Sequence, residues 1–232
     1  MKEELKKLLA DLNQEQREAV LHTKTPALIL AGAGSGKTKV ITYKIAYLLA
    51  SKQTSPDAIL ALTFTNKAAG EMLERVEELL HALGTKDRSP KQTVREITIS
   101  TFHAFGLSVL RRYGRRIGYR PNFTVYDTGD QISLLKNAAR EIRVDPNDLD
   151  VVRVLQMFSA IKTERSTWTD ERLGETATEI VYADGGAHRS IETLQKLYRS
   201  YHEHLLTFNA VDFDDLIVKP LALLRDHTSV TE

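Results

Sequence analysis

The sequence has no cysteine, no long apolar run and almost no net charge, and each absence excludes a class of protein. Without cysteine there is no disulfide framework and no thiolate metal site. Such a composition suits a reducing compartment, and we expect a cytoplasmic protein. No apolar stretch approaches the roughly 18 residues of a membrane span, and the opening MKEELKKLLADLN mixes charges into its leucines, unlike a signal peptide. The formal net charge is +1, so any nucleic-acid-binding surface must be a local concentration of basic residues.

Strand-like and helix-like patterns alternate along the first half of the chain. Short apolar runs predict buried strands over 26–32, 57–65, 95–102 and 122–127. Asn13 and Gln16 have the spacing of a capping box, which predicts a helix over NQEQREAVLH. Two later segments have apolar residues at helical spacing, the second of them capped by Asn66. These residues are Ile41, Ile45, Leu48 and Leu49, and then Ala69, Met72, Leu73, Val76, Leu79, Leu80 and Leu83. The alternation predicts an α/β fold with a parallel sheet flanked by helices.

The pattern changes near Asp127, and from there to about Asn209 only helical periodicity is found. Thr128 and Gln131 have the spacing of another capping box, and Asp145 followed by proline is typical of a helix start. ADGGAHRS, at 183–190, predicts a loop before the last helix of this stretch. We therefore expect an α/β segment over 1–127, an all-helical inserted subdomain over 128–209, and a return to the α/β part over 210–232.

A glycine-rich loop follows the first predicted strand. AGAGSGKT matches the phosphate-loop pattern G-x-x-x-x-G-K-[ST] except at its first position. The glycines let successive N–H groups turn toward one point, where the start of the following helix directs its partial positive charge. A turn that needs glycine only to bend would not explain a lysine and a threonine directly after the last glycine. The predicted phosphate-binding residues are Ala31, Gly32, Ala33, Gly34, Ser35, Gly36, Lys37 and Thr38. Lys37 is predicted to reach the β and γ phosphates as a catalytic charge, and the Thr38 hydroxyl to ligand Mg²⁺.

Four further stretches accompany this loop: LNQEQREAV before it, and then LALTFTNKAAGEM, ISTFHAF and VDFDDLI. With AGAGSGKT, in this order and at these separations, they closely resemble the amino-terminal part of superfamily 1 DNA helicases of the UvrD/Rep/PcrA type. The resemblance extends from about Leu12 to Leu224. It implies a RecA-like P-loop NTPase fold, ATP with Mg²⁺, and single-stranded DNA and duplex junctions as partners. It also implies translocation from 3′ to 5′ with a second RecA-like domain, and no role at a membrane.

The resemblance also implies roles for individual residues. Gln16 corresponds to the glutamine that reads the adenine edge, whereas the residue pattern alone favours it as the capping partner of Asn13. TFTNKAAGEM is similar to motif Ia, which gives Phe64 a base-stacking role and lets Thr65 and Asn66 contact phosphate. The alternative is that Phe64 is a core residue and Asn66 only a cap. STFHAF is similar to motif Ib, with Thr101 and His103 on the DNA backbone, although a lone histidine is often only structural.

Two charged stretches have both a functional and a structural interpretation. RRYGRRIGYR concentrates basic residues with interleaved Tyr113 and Tyr119 and contains no acid, which indicates either phosphate contact or a solvated face. Its arginines are Arg111, Arg112, Arg115, Arg116 and Arg120. VDFDDLI places three acids together but follows too short an apolar run for a Walker B strand. We therefore predict Asp212 as a helix cap and no metal site there.

ATP hydrolysis also needs an acid, a base that orients water, and an arginine. The resemblance implies that the acid and base follow the VDFDDLI helix and that the arginine belongs to the second RecA-like domain. We therefore expect the first, incomplete motor domain of a helicase, inactive alone. Three alternatives stay open: a helicase–nuclease of the RecB or AddA kind, a P-loop kinase, and a nucleotide-binding module that is not a motor.

Overall fold

The computed structural model describes residues 2–84, 89–164 and 186–231, and of these the side chains of 2–4 and 186–190 are left undescribed. The chain divides into two compact units, Met1–Phe102 and His103–Glu232. Each contains helices and a pair of short parallel strands, which confirms the predicted α/β class. No helix of the described residues is long and apolar enough to cross a membrane.

The first unit surrounds a parallel strand pair with helices. Strands β1 (Leu60–Thr63) and β2 (Thr98–Thr101) pair with Leu60 opposite Thr98 and Thr63 opposite Thr101. Its helices are α1 (Lys2–Ala10), α2 (Gln14–Leu21), α3 (Lys37–Ala50), α4 (Asn66–Ala82) and α5 (Pro90–Glu96). The apolar stripe of α4 packs on the strands, with Met72, Val76 and Leu80 buried in one cluster, as its periodicity predicts.

One prediction in this unit is wrong, and another is correct about the helix but not about its buried face. Residues 26–32 do not form a strand, and Leu28 and Leu30 are each 86% exposed. A strand buried on both faces belongs to a sheet that helices cover on both sides, and no strand of the described residues pairs with this run. In α3 the buried face is centred on Val40, Ile45 and Ala46, whereas Ile41 is 41% exposed.

The second unit combines a helical core with a second strand pair. Strands β3 (Thr124–Val125) and β4 (Ala210–Val211) are parallel. The helices are α6 (Phe102–Tyr113), whose first residue belongs to the first unit, α7 (Thr128–Glu141), α8 (Val151–Lys162), α9 (Gly186–Thr207), α10 (Asp215–Asp226) and α11 (Thr228–Thr231). One core cluster joins α7, α8 and α9, and another joins α6, β4 and α10. The predicted division at 127, 128–209 and 210–232 stays a prediction.

Several predicted helix ends lie one or more residues from the observed ends. The Thr65 side chain, not that of Asn66, caps α4 by accepting from the Ala68 N–H at 3.1 Å. The capping box of α7 uses Asp127 and Asp130 instead of Thr128 and Gln131, because a carboxylate at each position accepts the required backbone N–H. Asp145 starts only a short 3₁₀ turn, Pro146–Asp148. Of the predicted loop at 183–190, 183–185 lie outside the described residues and α9 already begins at Gly186.

Candidate functional site

The loop 31–38 has the backbone conformation that its glycines predict. Gly34 and Gly36 have φ angles of 77° and 87°, in the left-handed region that disfavours residues with a Cβ. Helix α3 begins at Lys37, and no side chain of the described residues caps its first turn. The N–H groups of that turn therefore point outward from a helix end that carries partial positive charge, the arrangement that favours an anion.

Lys37 lies across this loop. Its Nζ donates to the carbonyl oxygens of Ala31 at 2.8 Å and Gly32 at 2.6 Å. The Ser35 hydroxyl donates to the same Gly32 oxygen at 2.7 Å. The segment therefore forms a compact turn and is not extended. An ammonium has three donors, and the two carbonyls take two of them. Thr38 is the second residue of α3 and is exposed.

Gln16 links the preceding helix to the loop. Its backbone N–H donates to Asn13 Oδ1 at 2.8 Å and its Oε1 accepts from the Asn13 N–H at 3.3 Å, so the predicted capping box is confirmed. The same carboxamide uses Nε2 to donate to the Ser35 carbonyl at 3.0 Å. A Cβ on Gly36 would lie 2.8 Å from that nitrogen. Gly36 is therefore required for its φ angle, and a side chain there would also displace the Gln16 carboxamide.

An exposed aromatic pair stands at the carboxyl ends of the strands in the first unit. Phe64, directly after β1, is 88% exposed, so its interpretation as a core residue is wrong. Its ring centroid lies 5.6 Å from that of Phe102, which directly follows β2 and is 42% exposed. Thr65 and Asn66 are exposed beside Phe64 at the start of α4. Thr101, the last residue of β2, is 8% exposed.

A second exposed aromatic pair lies in the second unit. The ring centroids of His103 and Phe213 are 4.3 Å apart with a 33° interplanar angle, and Phe213 is 57% exposed. VDFDDLI contributes to the family resemblance and predicts a helix start, but no role was predicted for Phe213. The sequence did contain a signal for this residue. An aromatic residue between acids at the start of a helix is exposed, and an exposed ring there has no local structural function.

The arginines of RRYGRRIGYR are all exposed, whereas its second tyrosine is buried. Arg111 and Arg112 are exposed in the last turn of α6, and the Arg112 guanidinium lies 5.2 Å from the Tyr113 ring centroid. Arg116 donates to the Ser229 hydroxyl at 2.6 Å. Tyr119 is 3% exposed, so it belongs to the core and is not interleaved with the arginines at the surface.

The acids of VDFDDLI form ion pairs. Asp212 and Asp215 are buried, and both carboxylates contact the Lys162 ammonium. Burial alone would raise the pKa of Asp212, but Lys162 holds it below its ordinary value. Within the described part of the chain no cluster of three metal-ligating side chains is found. The Asp212 side chain accepts from the Asp215 N–H at 3.0 Å as a cap would, although α10 itself begins only at Asp215.

The chain also matches known proteins. The sequence profile of the UvrD/REP helicase N-terminal domain matches residues 12–232. Among curated relatives, the ATP-dependent DNA helicase PcrA of Bacillus subtilis (strain 168) is 42% identical over 225 residues, which are 97% of this chain and 28% of that protein. PcrA of Leuconostoc citreum is 38% identical over 219 residues, 94% of this chain and 27% of the relative. This chain thus spans little more than a quarter of the length of these relatives. It belongs to the UvrD/REP helicase N-terminal domain family.

Proposed function

We propose that this chain is the nucleotide-binding first part of an ATP-dependent DNA helicase that moves 3′ to 5′ along single-stranded DNA. The observation that carries the proposal is the convergence of the α3 amino terminus, Lys37 and Gln16 on the loop 31–38. The family membership supports the same assignment. The PcrA relatives are named as ATP-dependent DNA helicases.

In the nucleotide site each group has a separate task. The N–H groups of the loop and of the first turn of α3 bind the phosphates, and Lys37 moves from the loop carbonyls to the β and γ phosphate oxygens. Gln16 offers an acceptor and donors to the adenine edge. The exposed Thr38 hydroxyl is a hard oxygen ligand that fits Mg²⁺. When bound, that ion neutralises charge on the phosphates.

Each unit offers its own surface for DNA, on which exposed rings stack on unpaired bases and neighbouring groups hold the backbone. Phe64 with Phe102 and His103 with Phe213 provide two aromatic surfaces, and stacking tolerates any base sequence. The candidate backbone contacts are Thr65, Asn66, Thr101, Arg111 and Arg112. Arginine contacts to phosphate supply most of the affinity in such sites and make it dependent on salt.

We further propose that the chain alone binds Mg-ATP weakly and neither hydrolyses it at a useful rate nor unwinds DNA. Hydrolysis needs an acid for Mg²⁺, a base for water and an arginine for the developing charge. A second RecA-like domain would supply the arginine and close the site. DNA-stimulated ATP turnover by residues 1–232 would contradict this proposal.

The test separates the two sites by substitution. Lys37→Ala should lower the affinity for a fluorescent ATP analogue at least tenfold and leave the affinity for a single-stranded oligonucleotide unchanged. Phe64→Ala should do the reverse, since stacking on one ring contributes about 1–3 kcal/mol per base. Lys91→Ala and Phe208→Ala are matched controls, because Lys91 is exposed on α5 and Phe208 is 55% exposed. If both test variants bound both ligands like their controls, the proposed function would be wrong.

A further inference from the structure

A buried ionic cluster lies beneath the turn that carries Phe213. The Lys162 Nζ, at the end of α8, is 2.6 Å from Asp212 Oδ2 and 3.0 Å from Asp215 Oδ1. The side chains of Lys162 and Asp212 are each 6% exposed and that of Asp215 is 2% exposed. Lys162 thus contacts both of these carboxylates, which are shielded from water, whereas Lys219 lies near Asp215 only.

These two carboxylates define the shape of the turn. The Asp212 N–H donates to Asp215 Oδ2 at 3.3 Å, and the Asp215 N–H donates back to Asp212 Oδ1 at 3.0 Å. The Tyr201 hydroxyl, from α9, donates to Asp212 Oδ2 at 3.2 Å. Phe213 lies inside this closed loop of hydrogen bonds, with its ring turned outward onto His103. The orientation of that exposed ring therefore depends on buried contacts from α8 and α9.

Charge compensation makes Lys162 the critical member of the cluster. Burial alone would lower the pKa of Lys162, but Asp215 and Asp212 raise it above its ordinary value, so the side chain is an ammonium. Without it, the two buried carboxylates would repel each other, and only Lys219 beside Asp215 would supply an opposite charge. The nearest substitute is Lys219, whose Nζ lies 3.5 Å from Asp215 Oδ1 and is farther toward solvent.

We propose that Lys162 is a positioning residue for single-stranded DNA binding: it fixes the Asp212–Asp215 turn and so holds Phe213 in its stacking orientation on His103. This inference rests on the proposed function, in which the His103–Phe213 pair binds unpaired bases. Lys162 itself is too deeply buried to reach a phosphate. The helical part of the second unit then contributes to DNA binding through a buried ion pair that does not itself contact DNA.

The experiment compares Lys162→Met, Phe213→Ala and the double variant for binding of a fluorescent oligothymidylate at several salt concentrations. Lys162→Met should weaken binding about five- to tenfold. The same change should have little further effect when Phe213 is already alanine, because both act through one ring. The slope of affinity against salt should stay that of the unaltered chain, since no phosphate contact is lost. Lys136→Met, an exposed lysine on α7, is the matched control.

Thermal unfolding of every variant identifies those that remain folded at the assay temperature. If Lys162→Met does not fold, Lys162→Arg carries the test, because it keeps the charge but its broader fork cannot occupy the place of the ammonium. Lys162→Arg should then weaken oligothymidylate binding at a temperature where thermal unfolding shows the variant to be folded, and unchanged binding would overturn the inference.

Three results overturn the inference in different ways. Wild-type affinity in folded Lys162→Met, with Phe213→Ala weakened, refutes the positioning role alone. Fully additive losses, or a salt slope reduced by one contact, assign Lys162 an action independent of Phe213. If Phe213→Ala binds like the unaltered chain, the His103–Phe213 pair is not a DNA site, and that part of the proposed function fails first.

Discussion

Gln16 shows how one side chain can satisfy both a local and a distant requirement. Its Oε1 completes the capping box of α2, while its Nε2 reaches the Ser35 carbonyl. Glutamate at the third helical position also completes a capping box, but its carboxylate has no donor for Ser35 or for adenine. The two functions of Gln16 can therefore be separated by exchanging a single atom of the side chain.

We predict that Gln16→Glu lowers the affinity for ATP about tenfold, the loss of roughly one hydrogen bond, and leaves the melting temperature nearly unchanged. The affinity for tripolyphosphate, which has no base, should fall less. Asn13→Ala is the complementary control, since it removes the cap and should lower the melting temperature first. Equal losses for both ligands, measured by competition with a fluorescent analogue, would show that Gln16 supports the loop and does not read the base.

His202 should make the stability of the second unit depend on pH. Burial, and then the nearby Lys162 charge, lower its pKa to about 4, below the value of about 6.5 in the unfolded chain. Between these values the unfolded state binds more protons, so stability is fully present above pH 6.5 and is lost as pH falls toward 4. Its Nε2 is buried and has no hydrogen-bond partner among the described residues, which is consistent with a neutral ring.

The expected loss is on the order of 3 kcal/mol across that interval. Urea unfolding of His202→Gln at pH 7, 6, 5 and 4 should show a much flatter pH dependence than the unaltered chain. His81→Gln, on the exposed surface of α4, controls for the change of residue type. A His202→Gln variant with the full wild-type dependence would assign the acid sensitivity to carboxylates such as Asp212.

Helices α6 and α10 pack closely against each other at Gly106, where there is no room for a larger residue. A Cβ on Gly106 would overlap the Leu216 carbonyl oxygen and lie 3.2 Å from Pro220 Cγ. We predict that Gly106→Ala destabilises the second unit by about 2 kcal/mol, because overpacking outweighs the better helix propensity of alanine. Gly70→Ala on α4, with no atom within 4 Å of the added Cβ, should stabilise by roughly 0.5–1 kcal/mol. Chemical denaturation measures both, and two changes of the same sign would contradict the packing argument.

Elements with local sequence patterns were predicted better than those that depend on distant neighbours. The stripe of α4 and the capping box of α2 are local patterns, and both were predicted correctly. The run 26–32 was predicted as a buried strand, yet Leu28 and Leu30 are exposed, because burial of a strand depends on neighbours that its own sequence does not specify. The cap of α4 was misplaced by one residue, since Thr65 and Asn66 are both good caps.

For the molecule as a whole, motif spacing locates the loop 31–38 and the exposed Phe64. It could not reveal the contact that shapes the Phe213 turn, because Lys162 and Asp212 are 50 residues apart and meet only in the folded unit. The net charge is likewise a poor guide, because it does not show where the charged residues lie. The total of +1 says nothing about DNA binding, whereas the distribution places Arg111 and Arg112 together on the surface of α6.

The exposed pair of arginines predicts how the affinity for single-stranded DNA depends on salt concentration. Each phosphate contact on single-stranded DNA contributes about 0.7 to the slope of log affinity against log salt concentration. The double variant Arg111→Gln/Arg112→Gln should therefore reduce the slope by about 1.4. Lys91→Gln/Lys136→Gln changes the net charge equally at exposed positions on α5 and α7 and should leave the slope nearly unchanged. Oligothymidylate titrations from 50 to about 300 mM salt give both slopes. Equal reductions would mean that net charge governs binding, and an unchanged slope in the arginine variant would remove α6 from the DNA-binding surface.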